Sequence, residues 1–304
     1  MTRRLLALAA ASLLAAVVPP AAQAQRGAGY RSSIDTTFRF DRDGVVDLTQ
    51  LSGEIVVTAW DRDEVRVQAL AQYGRVESTL SSGRVLLRVV PDRGRGGRIG
   101  DSRFELLVPE RVRVKAAATS GAVRVSGTRG EVEIGTRSGA IDVTDVEGLV
   151  TLTSLAGAVT ATDIEGDLAV NTAGGMVTAR DVRGDVRAKT VGGAIDLRDI
   201  DSRSVSARST GGPITFQGDL AEGGRYELVS HAGTVRLLLP EDASVELRVE
   251  TFTGAVESDF AVTLTGGERR GTPPRTLGFT LGDGEARVVV QTFSGNVVLQ
   301  RTGG

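Results

Sequence analysis

The chain has 304 residues, of which 40% are hydrophobic and only 4% aromatic, with 39 Gly and no Cys. The missing Cys excludes a disulfide scaffold, and the scarcity of rings points to a core of small β-branched side chains between turns. A formal net charge of −2 leaves no global positive field, so nucleic acid is not an expected partner, and a single His excludes zinc, haem or His-triad chemistry built on several imidazoles.

In chain order the first element is a leader at residues 1–24. Arg3 and Arg4 precede the apolar run Leu5 to Val18, Pro19 and Pro20 break it, and Ala22-Gln23-Ala24 has the small-x-small form of a signal-peptidase site. The run is 14 residues long. A membrane-crossing helix needs about 20, so cleavage near Ala24 is expected rather than anchoring. No later segment is long and apolar enough to span a bilayer, so the mature chain is expected in the periplasm, on the cell surface or in the medium. Residues 25–32 are expected to form a flexible N-terminus, and residues 33–118 an irregular β segment. Alternating runs at Val65 to Ala69, Val85 to Val89 and Val112 to Val114 place its strands.

From Thr119 the chain divides into five blocks of 18: 119–136, 137–154, 155–172, 173–190 and 191–208. Gly121, Gly139, Gly157, Gly175 and Gly193 share one column, and Val123, Ile141, Val159, Val177 and Ile195 another. Gly130, Gly148, Gly166 and Gly184 recur half a block later. Apolar residues alternate with polar ones, as Ile141 and Val143 flank Asp142, which is strand periodicity. Short strands between glycine turns cannot bury an apolar face alone, so the period predicts coils stacked on coils, a β-solenoid over 119–304. The glycine column loosens to Gly212, Gly233 and Gly254, giving about 18–21 residues per coil. Thr251-Phe252-Thr253-Gly254 is echoed by Thr292-Phe293-Ser294-Gly295, and the turn-rich stretch 265–275 between them predicts an excursion loop. The expected fold class is all-β, with the irregular N-terminal segment capping or extending the solenoid so that no terminal strand edge is left uncovered.

The leader, Ser52-Gly53-Glu54-Ile55-Val56-Val57 followed by Trp60-Asp61-Arg62-Asp63, and the recurring Ser-Gly-Ala-Val/Ile units resemble the bacterial adhesin-like domain family over roughly residues 35–300. The resemblance implies a right-handed β-helix and brings no catalytic residues with it.

Three constellations bear on chemistry. Asp145, Asp163, Asp181 and Asp199 form a column at spacing 18. Each side chain is expected to accept a backbone N–H in its own turn; the alternative is a calcium ladder, although the spacing differs from the Gly-Gly-x-Gly-x-Asp β-roll. His231 occupies a repeat-start turn with no partner His or Cys, so a turn residue is expected over a catalytic base. The Arg-Gly-Arg-Gly-Gly-Arg tract from Arg93 to Arg98 is expected as a solvated loop, an anionic glycan or lipid headgroup being the alternative contact.

β-Helix lyases and hydrolases require an enzyme to be weighed. No aromatic occurs between Phe104 and Phe216, which leaves the regular coils without a sugar-stacking platform, and Lys189 is their single Lys. The expectation is therefore a non-enzymatic exported adhesin or envelope scaffold, needing no cofactor or metal, whose partner is an envelope protein, a glycan or a second copy of itself. A β-helix carbohydrate-active enzyme and a polymerising solenoid are the alternatives; the second needs uncapped ends.

Overall fold

The structure, a computed structural model, describes residues 32–91, 100–260, 263–264 and 275–302. The leader, residues 25–31, the Arg93–Arg98 tract and residues 265–274 of the excursion lie outside the described residues. Within them, 24 strands form one continuous sheet and there is no helix. The fold is an all-β solenoid made of two parallel ladders.

Each coil contributes one short strand to each ladder. Val150–Ser154 pairs with Val132–Thr136 on one side and Leu168–Thr172 on the other. In the second ladder Val159–Glu165 lies between Ile141–Glu147 and Val177–Arg183. The register is the sequence period itself: Val159 faces Ile141 and Val177, and Ala161 faces Val143 and Ala179. Alternation then sends every second side chain inward, so Ile141, Val159, Val177 and Ile195 are buried in one file, with Ala161, Ala179 and Ala188 filling narrower places. Each large aliphatic side chain buried this way contributes roughly 1.5–3 kcal/mol.

The ladders continue through residue 118. Strand Arg113–Thr128 crosses the boundary expected there and pairs in parallel with Val45–Trp60 over both halves. Trp-Asp-Arg-Asp is the turn leaving that strand. The Trp60 indole donates to the Glu64 carbonyl at 2.7 Å, the Arg62 guanidinium lies 4.9 Å from the ring centroid, and Arg42 makes a two-point contact with Asp63.

At both ends the stacking order departs from the chain order. The glycine spacing alone suggests that coils follow one another to the C-terminus, yet Val288 pairs with Tyr226 on one side and Leu247 on the other. Leu299 likewise lies between Leu237 and Ser258. The last coil, 286–301, is thus inserted between coils 225–239 and 245–258. The N-terminal end repeats the device: Leu48 lies between Leu87 and Ala116, and Ile55 between Phe104 and Val123. Antiparallel strands then cover the outer coils. Arg275–Leu281 lies on Val245–Thr251, Arg75–Leu80 on Arg84–Val90, and Glu64–Ala71 on Ser102–Pro109.

Where the coils widen, Tyr226 fills the extra space. Its ring meets Phe216 edge-on at 5.6 Å, and its hydroxyl donates to the Ser202 carbonyl at 2.6 Å and accepts from Ala221 N–H at 2.8 Å. Burial pushes this phenol above its ordinary value.

Candidate functional site

One corner of the solenoid repeats a four-residue pattern, a hydroxyl residue, two variable residues and a glycine. The hydroxyls of Ser154, Thr172, Thr190, Ser209, Ser230 and Thr251 are buried and accept the N–H of the glycine three residues on, at 2.9 to 3.1 Å. This satisfies a backbone donor that the tight corner removes from the ladder. The glycines are required by proximity. A Cβ on Gly157, Gly175, Gly193 or Gly212 would collide with the carbonyl oxygen of the glycine one coil earlier. Gly139 meets Gly121 in the same way, Gly233 meets Gly212, Gly295 meets Gly233 and Gly254 meets Gly295, so the column itself follows the rearranged coil order.

With the hydroxyl turned inward and the glycine pressed on its neighbour, the two residues between them must project. The first of each pair forms a column: Arg137, Leu155, Ala173, Val191, Thr210, His231, Phe293 and Phe252. Insertion of the last coil makes His231, Phe293 and Phe252 adjacent. His231 and Phe293 stack at 4.7 Å and 9°, Phe293 and Phe252 at 4.7 Å and 12°. Backbone bonds fix the spacing, with Phe293 N–H donating to the His231 carbonyl at 3.2 Å and Thr253 N–H to the Phe293 carbonyl at 2.9 Å. Phe252 is 38% exposed, Phe293 45% and Leu155 56%.

From the coil of Leu155 to that of Phe252, no Asp, Glu, Lys or Arg occurs between a hydroxyl residue and the residue after its glycine. Met176, directly after Gly175, adds a further exposed apolar side chain. Six steps at about 4.8 Å give an uncharged edge roughly 29 Å long. Ion pairs elsewhere link neighbouring coils, such as Lys115 to Glu133 and Arg183 to Glu165. Beside the edge runs a shallow groove of about 510 Å³, with Lys189, Arg208 and Gln291 along one wall and His231 and Phe293 along the other.

The Asp column lies at another bend of the coil, six residues after each corner glycine. Asp145, Asp163, Asp181 and Asp199 all have left-handed backbone geometry, with φ between 52° and 56°. Their side chains are exposed, and no described hydrogen bond ends on any of these four carboxylates. The expected N–H contact is replaced by a backbone requirement: Asp tolerates left-handed geometry better than most residues, and the chain adopts it in each of these four coils. Among the described residues no three His, Cys, Asp or Glu side chains converge to hold a metal ion. Asp181 and Asp199, with Asp201, Asp219 and Arg183, do line a cleft of about 370 Å³.

Residues 100–300 match the model of the Toastrack DUF4097 family. The chain belongs to that family. Its solved relatives in fold include a proposed lipid-binding protein from Parabacteroides distasonis, 10% identical, covering 90% of this chain and 97% of its own, with a TM-score of 0.51. Two proposed adhesins are also similar: one from Parabacteroides merdae (9% identity, 90% and 97% coverage, TM-score 0.43) and one from Bacteroides fragilis (9%, 89% and 97%, TM-score 0.42). No curated protein sequence matches the chain. The matched span contains the Ser-Gly-Ala unit at Ser120 and the corner glycines from Gly121 to Gly295. It covers Leu155, Val191, His231, Phe293 and Phe252, so the edge belongs to the family domain.

Proposed function

We propose that the protein is a non-enzymatic, exported adhesin-like interaction module whose contact surface is the uncharged corner edge. The observation that carries this reading is a corner column of seven successive coils that holds no formal charge and exposes Leu155, Val191, His231, Phe293 and Phe252. An uncharged strip that gathers exposed apolar and aromatic side chains is what association surfaces present, whereas isolated exposed apolar residues are ordinary. Export rests on the leader sequence. A right-handed coil rests on the strong preference of parallel strand connections for that hand. No helix among the described residues is long and apolar enough to cross a membrane. The antiparallel strands over both terminal coils weigh against end-to-end polymerisation.

The test uses protein exported and purified from its secretory route, which should begin near Gln25 by intact mass. Replacing Leu155, Val191 and Phe293 by Ser should lower binding to cell-envelope fractions at least tenfold at an unchanged melting temperature. A matching triple change on an outward strand face, Thr144, Thr160 and Thr178 to Ser, should leave binding intact. Equal binding by both variants would remove the edge from the function.

The acid-lined cleft favours a second reading, a β-helix carbohydrate-active enzyme. It requires new reducing ends or unsaturated products from acidic polysaccharides, abolished by Asp201→Asn.

A further inference from the structure

The groove beside the aromatic corner is asymmetric in charge. It is lined by Lys189 and Arg208 and by no carboxylate. Arg208 is held by both oxygens of Glu227, at 2.9 and 2.7 Å, while Lys189 makes no ion pair with any described residue. The Gln291 amide donates to Glu250 at 3.1 Å. Lys189, Arg208, Val229 and Gln291 are register neighbours, so the wall they form runs along the solenoid axis. Four coils at about 4.8 Å give a trough roughly 14 Å long and open on one side.

We propose that this groove binds a carboxylate-bearing polysaccharide strand laid along the solenoid axis, with a sugar carboxylate at Lys189 and sugar C–H surface against the exposed edges of the stacked His231 and Phe293 rings. The proposal deepens the reading of the corner as a contact edge and rests on it. Length and openness suit a polymer, because a small ligand is usually buried over most of its surface. Lys189, without an ion pair among the described residues, and a lining that contains no carboxylate select an anion, and the rings supply apolar contact beside polar groups. An acidic peptide fits less well. Extended peptides bind by adding to a free strand edge, and here every strand of the wall is paired on both sides.

The experiment is titration of the purified protein with polygalacturonate and, separately, with neutral dextran. Polygalacturonate should bind and dextran should not, and binding should weaken as salt rises. Lys189→Gln should weaken it about fivefold and Phe293→Ala about tenfold, both at an unchanged melting temperature. Leu155→Ser, which lies on the edge but outside the groove, should lower envelope binding and leave polygalacturonate binding alone. No binding of polygalacturonate, or binding unaltered by both groove variants, overturns the proposal. If Leu155→Ser still lowers envelope binding in that case, the contact edge survives and only its ligand is wrong. If polygalacturonate binds through the groove while Leu155→Ser leaves envelope binding unchanged, the extended edge fails instead.

Discussion

Two adjacent glycines show how unevenly the corner constrains its residues. A Cβ on Gly175 would strike the Gly157 carbonyl, whereas one on Gly174 would meet nothing nearer than the Leu155 carbonyl at 3.8 Å. Gly175→Ala should therefore destabilise by about 3 kcal/mol, the upper range for forced overpacking. Gly174→Ala should lie between no change and about 1 kcal/mol of stabilisation, because it only narrows the unfolded ensemble. Urea titration of the two variants measures both. The Asp column calls for a different series. With φ near 54° at Asp163, Asn should be neutral, Gly neutral or stabilising, and Val should cost about 1–2 kcal/mol, the penalty of left-handed geometry for an L-residue. Millimolar calcium should leave the melting temperature of the wild type where it is. A saturable rise of several degrees, lost in Asp163→Asn, would instead identify a metal-binding face.

Among the elements, the inward files are mostly aliphatic, and one polar member is informative. Thr128 faces Val146 in register, at the head of the file Val146, Ile164, Val182 and Ile200. Its hydroxyl is fully buried and has no hydrogen-bond partner among the described residues. Thr128→Val should stabilise by about 1 kcal/mol, since it removes a desolvated polar group and keeps the shape. A lower melting temperature for this variant would mean that the hydroxyl has a partner. The file itself was legible in the sequence because an 18-residue period repeats short-range information in every coil. The buried hydroxyl row was equally periodic, from Thr136 and Ser154 to Ser230, but Ser and Thr beside a turn look like solvated residues until burial is known. The Asp column was legible as a column and misread as a side-chain contact, because periodicity reports that a position is constrained without saying whether side chain or backbone is the constraint.

For the whole molecule, the coil order decides both closure and site. Both ends use the same device, a terminal coil inserted one place inward and an antiparallel strand laid over the coil it displaces. Edges of parallel ladders are otherwise templates for further strands, and covering them limits aggregation. The echo of Thr251-Phe252-Thr253-Gly254 in Thr292-Phe293-Ser294-Gly295 shows in the sequence that two coils are alike. It does not show which lies inside, because that depends on pairing between strands about 60 residues apart, which local periodicity does not encode. The aromatic stack stayed hidden for the same reason: His231, Phe293 and Phe252 become neighbours only through the insertion. Oxidative cross-linking reads the order directly, since the chain has no Cys of its own. Glu227 and Val289 are register neighbours, and Arg248 lies one strand further on. Adjacent strands place Cα atoms within reach of a disulfide, and a second strand spacing does not. Mass spectrometry after mild oxidation should find a disulfide in Glu227→Cys/Val289→Cys and none in Glu227→Cys/Arg248→Cys; the opposite result would restore the chain order of the coils and dismantle the aromatic edge.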